Sequence, residues 1–465
     1  MRRLAVVLAL AACGGSDDAP GPDPDVAACT PAMLPAGDIA AQLAAIPCLT
    51  ATELPAPGLD MRRFQLRITQ PVDHDDPDGA TFTQDVTLLH RDVAAPMVMV
   101  ESGYTNDYGD WELEPTSILE GNQIVVEHRF FDDSRPEPAD WSKLTIAQQA
   151  ADDHRTIIAL SQIYTGPWIT TGISKGGMTT TYHRRFYPDD VDGTLPYVAP
   201  ISFAIRDPRY LPHLETLGTT QCREAIRAVQ RELLANRRAM LVTRAQAAAA
   251  ELGYQFTRIS LEAAVEATVA GVDWSFWQYA GIDYCPGVPT TTASDDVMWQ
   301  FLQQHYSVGA YADSELGKYE AYYYQAEAEL GYPVEGNPNL EDLLQFEPSA
   351  YDGLLPPGVP RPTLRSDAMR DVADWVAASG EHFAFIYGAW DPWTGGMYDL
   401  GGATDSLRVI APMATHSAAI YQLTTDDQID VLSKLGSWTG TQPRTRPWTP
   451  RDVRRPVPPS LFMRR

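Results

Sequence analysis

Between residues 63 and 126 the spacing of polar and apolar positions predicts β-strands. Residues 63–68 and 82–89 alternate with a period of two, as half-buried strands do. Residues 96–100 and 123–126 are short apolar runs, which are typical of strands buried on both faces. Residues 145–161 then predict a helix that begins after a threonine N-cap. This half of the chain therefore predicts a sheet followed by a helix on one of its faces.

The rest of the chain returns to this pattern after a long helical interruption. Residues 167–171 predict another buried strand and 177–187 a helix, so the order of strand, helix, strand and helix implies a parallel sheet. Helical periodicity then dominates from about residue 222 to 331, for example over 225–250 and 261–269. Further predicted elements are strands at 382–387 and 406–410 and a closing helix at 426–435. We interpret the helical stretch as an insertion that caps the sheet.

The N-terminus has the pattern of a targeting segment. Two arginines precede a short apolar run over residues 4–12, and Leu-Ala-Ala-Cys ends at Cys13. The run is too short to cross a bilayer, and it resembles a bacterial lipoprotein signal that is cleaved before a lipidated Cys13. A plain secretory signal with an incidental cysteine is the alternative. Either interpretation predicts export, to the cell envelope as a lipoprotein or as a secreted protein.

These patterns divide the chain into predicted segments. The signal, residues 1–13, is followed by a flexible tether rich in Gly, Asp and Pro at 14–28. The remaining predicted segments are the first part of an α/β core at 29–205, the helical cap at 206–355, the second part of the core at 356–440 and a Pro/Arg-rich tail at 441–465.

The remaining cysteines and the net charge indicate which disulfides and which binding partners to expect. Cys29, Cys48, Cys222 and Cys285 are even in number, which in an exported chain favours two disulfides. Proximity suggests that Cys29 pairs with Cys48 and Cys222 with Cys285, although three pairings are possible. A net charge of −26 argues against nucleic acid or an anionic membrane surface as a partner, so a membrane is expected only through the lipid anchor. No spacing of Cys or His indicates a metal site, and no cofactor is expected.

The segment Gly-Ile-Ser-Lys-Gly-Gly at 172–177 carries the clearest chemical signal. It places Ser174 between a predicted buried strand and a predicted helix, with glycines two positions to either side. A serine at the tip of so sharp a turn needs neighbours without side chains. The segment therefore predicts the nucleophile elbow of an α/β-hydrolase, as opposed to an ordinary glycine-rich turn.

Partners for a serine nucleophile follow in the order that this fold requires. Serine needs a base to accept its proton and a carboxylate to orient that base. Asp391 follows the predicted strand at 382–387, and His416 follows the next one, so both loops lie at the edge of the sheet where Ser174 is expected. Taken separately, Asp391 could be a turn former and His416 a surface residue. Their order and positions favour a catalytic triad of Ser174, Asp391 and His416.

Two backbone amides are expected to stabilise the oxyanion of the reaction. The residue after the nucleophile supplies one of them, here Lys175. The loop after the strand at 96–100 is the source of the second, with the amides of Tyr104 and Gly103 as candidates. The side chain of Lys175 needs no catalytic role in this scheme.

Several motifs together resemble a known group of enzymes. Glu-His-Arg-Phe-Phe-Asp-Asp-Ser-Arg-Pro at 127–136, the elbow and Asp-Pro-Trp-Thr-Gly-Gly at 391–396 are similar to the secreted tripeptidyl aminopeptidases of actinobacteria. The chain resembles lysosomal prolyl carboxypeptidase and dipeptidyl peptidase II more distantly. The resemblance runs from about residue 62 to 435 and is weakest in the helical insertion. It implies an α/β-hydrolase with a helical cap, and a serine exopeptidase that releases short peptides, tripeptides among them, from free N-termini.

Such an enzyme must bind the protonated amine of a peptide substrate, for which a carboxylate is the simplest partner. Glu101, Glu127, Asp132 or acids of the cap could supply it, although Glu127 is better explained as a brace for neighbouring loops. Trp390 and Trp393, with Tyr104, are candidates for lining the pocket.

Two other functions remain open from the sequence. An esterase or lipase would use the same catalytic parts, because both reactions transfer an acyl group to serine. A surface-binding protein that has kept the fold without turnover is the second alternative. The number of residues released and the oligomeric state are not predicted.

Overall fold

A computed structural model describes residues 23–109, 111–333 and 337–444. The predicted signal, Cys13 and most of the predicted tail lie outside these ranges. Within them the fold is organised around one nine-stranded sheet with the strand order β1-β2-β3-β5-β4-β6-β7-β8-β9. Its strands are β1 (Leu49–Leu54), β2 (Arg62–Pro71), β3 (Thr81–His90), β4 (Met97–Glu101), β5 (Asn122–Val126), β6 (Trp168–Ile173), β7 (Gly193–Tyr197), β8 (Ala384–Gly388) and β9 (Leu407–Ala411).

The sheet changes from antiparallel to parallel at β5. The pairs β1–β2, β2–β3 and β3–β5 are antiparallel, and every later pair from β5–β4 to β8–β9 is parallel. The strands from β4 to β8 are almost completely buried because helices cover both faces of the sheet, whereas the edge strand β9 is partly exposed. This sheet is that of the predicted α/β-hydrolase fold, so the fold prediction is confirmed.

Thirteen α-helices accompany the sheet in the described residues. They are α1 (Pro24–Cys29), α2 (Ile39–Leu43), α3 (Glu114–Leu119), α4 (Ile146–Ser161), α5 (Lys175–Phe186), α6 (Tyr210–Leu214), α7 (Thr220–Asn236), α8 (Arg238–Leu252), α9 (Leu261–Ser275), α10 (Asp295–His305), α11 (Asp313–Gln325), α12 (Ala368–Ser379) and α13 (Thr425–Thr439). None of the described helices is long and apolar enough to cross a membrane.

Alternation along β8 shows how the two faces of the sheet are filled. Phe385 and Tyr387 pack with α4, α5 and α12 on one face. Ala384 and Ile386 point to the other face, where α3 and α13 cover them. Because strand residues alternate between faces, a single apolar strand can serve two hydrophobic cores.

Helices α7 to α11, which lie between β7 and β8 in the sequence, form a separate hydrophobic core. Its buried residues extend from Leu214 to Leu340, and Trp277 and Phe276 are among the largest. The disulfide Cys222–Cys285 lies in this helical layer, and Cys29–Cys48 joins the N-terminal segment to the start of β1. These are the two pairs that sequence proximity suggests.

Two sequence predictions need correction. The tether predicted to reach residue 28 ends earlier, because residues 24–29 form α1, which is tied to α4 by an ion pair between Asp25 and Arg155. The helix predicted over 225–250 is two helices, since the backbone at Arg237 leaves the helical conformation (φ −123°, ψ 11°). The Arg237 side chain bonds Glu232 and Asp295 at this break.

Candidate active site

Ser174 lies at a sharp turn between β6 and α5. Its backbone is in the left-handed region with φ 59° and ψ −120°, which is strained for a residue with a side chain. A Cβ atom on Gly172 would lie 2.2 Å from the carbonyl oxygen of Gly176, and one on Gly176 would lie 2.1 Å from that of Glu101. Both glycines are therefore required by close backbone contacts, which is the geometry that the sequence motif predicts.

Asp391 and His416 meet at the same edge of the sheet. Asp391 follows β8 and His416 follows β9, and His416 Nδ1 lies 2.7 Å from Asp391 Oδ2. The backbone amide of Trp393 donates to Asp391 Oδ1 at 3.0 Å, so both carboxylate oxygens are engaged. The two side chains are 0% and 2% exposed. With Nδ1–H donating to the carboxylate, Nε2 of a neutral ring is left as an acceptor.

Ser174 and His416 line the same cavity of about 550 Å³, which lies under the helical layer. Lys175, Tyr104 and Trp393 also line it. No hydrogen bond joins the Ser174 hydroxyl to the His416 ring among the described contacts. Catalytic hydrogen bonds are often long before substrate binds, so this arrangement is compatible with proton transfer between the two groups.

The candidate oxyanion amides lie beside the elbow. Lys175 is the first residue of α5, so its amide has no acceptor within the helix. Gly103 has φ +72°, and a Cβ there would lie 2.4 Å from the amide nitrogen of Gly176, so the loop after β4 touches the elbow directly. The amide of Tyr104 donates to Ser102 Oγ at 3.3 Å, which is a weak local bond.

The side chain of Lys175 is a feature that the sequence reasoning missed. It is only 2% exposed, and its Nζ donates to the carbonyl oxygen of Gly103 at 2.7 Å. The ammonium group lies 5.6 Å from the ring centre of Tyr104 and 5.3 Å from that of Phe131. This lysine therefore ties the elbow to the loop that carries the other candidate oxyanion amides.

A pair of buried acids lies close to Lys175. Burial raises the pKa of Glu101 to about 8 and raises that of Asp153 well above its usual range. After burial, the negative charge of Glu101 is the largest cause of the raised pKa of Asp153, so each carboxyl group disfavours ionisation of the other. Burial likewise lowers the pKa of Lys175, against the attraction of the two acids. The three groups form a compact ionisable cluster behind the nucleophile.

We expect Lys175→Ala to lower the free energy of unfolding by about 2–5 kcal/mol, because it removes a buried side chain and leaves the Gly103 carbonyl without its donor. Urea denaturation measures this directly. Lys318→Ala is the matched control, since Lys318 is exposed and, among the residues that the structure describes, forms an ion pair only with Glu315. Its expected effect is below about 0.5 kcal/mol. Equal effects of the two substitutions would contradict the anchoring role of Lys175.

The candidate substrate-binding residues divide into two groups. Trp393 lines the cavity, 6.1 Å from the His416 ring between ring centres. Glu101, Glu127 and Trp390 are absent from the described lining. Glu127 accepts bonds from Ser134 and from the amide of Asn106, and Trp390 packs against Trp277.

The binding roles predicted for Glu101, Glu127 and Trp390 are corrected accordingly, because none of these side chains lines the described cavity: Glu101 and Glu127 are buried, and Trp390 is half-buried against Trp277. Among the described residues, no group of three or more His, Cys, Asp or Glu side chains is placed to hold a metal ion.

Comparisons with known proteins identify a peptidase family. The family model of PS-10 peptidase S37 matches residues 32–458. The chain is 39% identical to the prolyl tri/tetrapeptidyl aminopeptidase of Streptomyces mobaraensis over 419 residues, which are 88% of this chain and 87% of that protein.

Similar solved structures include VinJ, with 14% identity, a TM-score of 0.38 and coverage of 84% of this chain and 99% of that one. A peroxisomal alpha-beta-hydrolase of Saccharomyces cerevisiae has 10% identity, a TM-score of 0.34 and coverage of 87% and 93%. The family match and the 39% identical relative identify the group: the chain belongs to the PS-10 peptidase S37 family and is a serine peptidase.

Proposed function

We propose that this peptidase releases short peptides, tripeptides among them, from free N-termini through an acyl-enzyme. The observation that carries the proposal is the shared cavity, in which a serine on a strained elbow faces the same space as a histidine bonded to a buried aspartate.

In the proposed mechanism His416 acts as the general base. Its Nε2 accepts the proton of Ser174 as Oγ attacks the scissile carbonyl, and Asp391 holds the ring in the required tautomer. The proton then passes to the leaving amine, and a water attacks the acyl-enzyme by the same route. The amides of Lys175 and of Tyr104 or Gly103 stabilise the oxyanion, with the weak bond from Tyr104 to Ser102 giving way.

Action at chain ends is supported by the covered cavity and by the relative. The helical layer supplies much of the cavity wall, including Trp274, Tyr279 and Tyr332, which suits a short peptide segment better than a continuous chain. The Streptomyces relative is a prolyl tri/tetrapeptidyl aminopeptidase. The ring centre of Trp393 lies 5.9 Å from that of Tyr332 and 5.2 Å from that of Trp274. These rings form an apolar wall beside His416 that suits a proline ring.

Mass spectrometry of the products from an unblocked ten-residue peptide with proline at its third position tests this proposal. We expect a tripeptide and the complementary heptapeptide, and no cleavage of the same peptide after N-terminal acetylation. Internal cleavage of the acetylated peptide would contradict an N-terminal exopeptidase. Turnover of simple esters with no cleavage of either peptide would favour the esterase instead.

We also propose that the protein is exported and anchored through Cys13. The signal pattern supports this, as do the two disulfides, which are typical of oxidising compartments. Metabolic labelling with a radioactive fatty acid in a bacterial host is expected to label the wild type but not Cys13→Ser. Equal labelling of both proteins would contradict the anchor.

A further inference from the structure

Acidic side chains are concentrated on the cap side of the active-site cavity, and most of them are already paired or exposed. Glu266 is buried and binds Arg238, and Glu215 pairs with Arg227. Asp107, Glu341 and Glu347 are exposed side chains at the cavity wall. Asp273 differs from all of these: it is only partly exposed, it lines the cavity, and it has no salt-bridge partner among the described residues.

Neutral donors hold the Asp273 carboxylate in place. The amide of Trp274 donates to Oδ1 at 2.8 Å, and Asn337 Nδ2 donates to Oδ2 at 2.7 Å. Gln230 belongs to the same hydrogen-bond network through Asn337. The carboxylate is thus oriented by hydrogen bonds and forms no ion pair with a described residue, since Arg227 acts on it only through its more distant charge; it is therefore available to pair with a cationic ligand.

Asp273 lies on α9, in the same helical run as a residue that is hydrogen-bonded to the backbone of His416. Five residues later in the same helical run, the carbonyl oxygen of Gln278 accepts a hydrogen bond from the His416 amide at 2.9 Å. The run is α-helical to Ser275 and π-helical over Phe276–Ala280, so five residues advance at most about 7.5 Å along the axis. The N-terminal three residues of an extended peptide span at most about 10 Å. The helical run therefore connects the catalytic site to a carboxylate at a distance comparable with the length of a tripeptide.

We propose that Asp273 binds the N-terminal ammonium group of the peptide and so sets the distance from the chain end to the cleaved bond. This inference rests on the proposed aminopeptidase function. The attraction between ammonium and carboxylate is strengthened in a partly enclosed cavity because water screens it less. Peptides with a blocked or missing amine lose this contact and leave a charged group unpaired, which makes the residue a specificity determinant.

The proposal also predicts a pH dependence. Burial raises the pKa of Asp273 to about 6, opposed by the hydrogen bonds from Trp274 and Gln230 and by the charge of Arg227. The other acids of the cavity wall are Asp107, Glu215, Glu266, Glu341 and Glu347, and its basic groups are Lys175, Arg206 and His416. Since the carboxylate must be ionised to attract an ammonium group, KM for a free-amine substrate is expected to rise as the pH falls below about 6.

A comparison of two substrates tests the assignment. The first is alanyl-alanyl-prolyl p-nitroanilide, and the second is propionyl-alanyl-prolyl p-nitroanilide, which lacks only the terminal amine. Asp273→Asn is expected to raise KM for the first by roughly 10- to 100-fold and to leave kinetics with the second unchanged. The KM of this variant for the first substrate should also not rise as the pH falls below about 6. Glu341→Gln, which removes an exposed acid from the same cavity wall, is the control and should behave as the wild type.

The outcomes separate the two proposals. Unchanged kinetics of the variant with the second substrate show that it is folded. Equal loss on both substrates, or no loss on either, overturns the role of Asp273 and leaves the proposed function standing if the wild type still prefers the free amine. A wild-type enzyme that is indifferent to the amine overturns the proposed function, and the role of Asp273 with it.

Discussion

Replacing Ser174 with alanine is expected to lower kcat by at least about 10⁴-fold, because no other group in the scheme can form the acyl-enzyme. KM should change little, since the Ser174 hydroxyl makes no hydrogen bond to another described residue and contributes little to ground-state binding. Steady-state kinetics with a tripeptidyl anilide measure both constants. The free energy of unfolding should stay within about 1 kcal/mol of the wild type, because only one oxygen atom is removed.

A second serine of the same cavity provides the control for this substitution. Ser202 also lines the cavity, but its hydroxyl is occupied by a hydrogen bond of 2.7 Å with Tyr210. Ser202→Ala is therefore expected to keep kcat within about threefold of the wild type. If Ser174→Ala retained a tenth of the wild-type kcat, or if Ser202→Ala lost as much activity, the nucleophile would have to be sought elsewhere.

Asp391→Asn is expected to lower kcat by about 10⁴-fold while the protein stays folded. An asparagine can still accept the bond from the Trp393 amide, but its NH₂ group cannot accept the proton on His416 Nδ1. The ring would then be held in the wrong tautomer, with a proton on the nitrogen that must act as the base. The activity of the variant should recover partly at high pH, where the hydroxide ion can replace the base.

Asp399→Asn is a matched control for the loss of a carboxylate. Asp399 is exposed a few residues further along the same loop region, and its oxygen accepts a bond from the Gly401 amide that an asparagine can also accept. Kinetics like those of the wild type are expected. Activity of Asp391→Asn within tenfold of the wild type would exclude Asp391 as the residue that orients His416.

Local patterns were sufficient to predict most of the sheet and its helices. The apolar run at 96–100 is β4, and Thr145 caps α4 by accepting a bond from the Gln148 amide at 3.2 Å. The strand β1 was not predicted, because only three of the six residues in Leu-Thr-Ala-Thr-Glu-Leu are apolar and the strand lies at the edge of the sheet, where it needs little apolar surface. The break at Arg237 was also missed, since neither Gly nor Pro marks it.

The placement of the catalytic candidates followed from motif order, whereas the surrounding side chains did not. Ser174, Asp391 and His416 each follow a strand, so the topology of the sheet places them at one edge. The burial of Lys175 and the orientation of Asp273 depend on contacts between segments far apart in the sequence, as when Asn337 meets α9. Such contacts leave no local periodicity. The position of Lys175 directly after the nucleophile, at the start of the helix that follows a buried strand, was the signal that could have suggested its role.

The acyl-enzyme mechanism requires that Ser174 is the hydroxyl that His416 activates. Peptide mapping by mass spectrometry after reaction with a fluorophosphonate tests this most directly, because the reagent phosphonylates only an activated nucleophile. We expect a single adduct on the peptide that contains Ser174, formed in proportion to the loss of activity and absent from Ser174→Ala. Inactivation with the adduct on a different residue, or labelling of Ser174→Ala equal to that of the wild type, would contradict it.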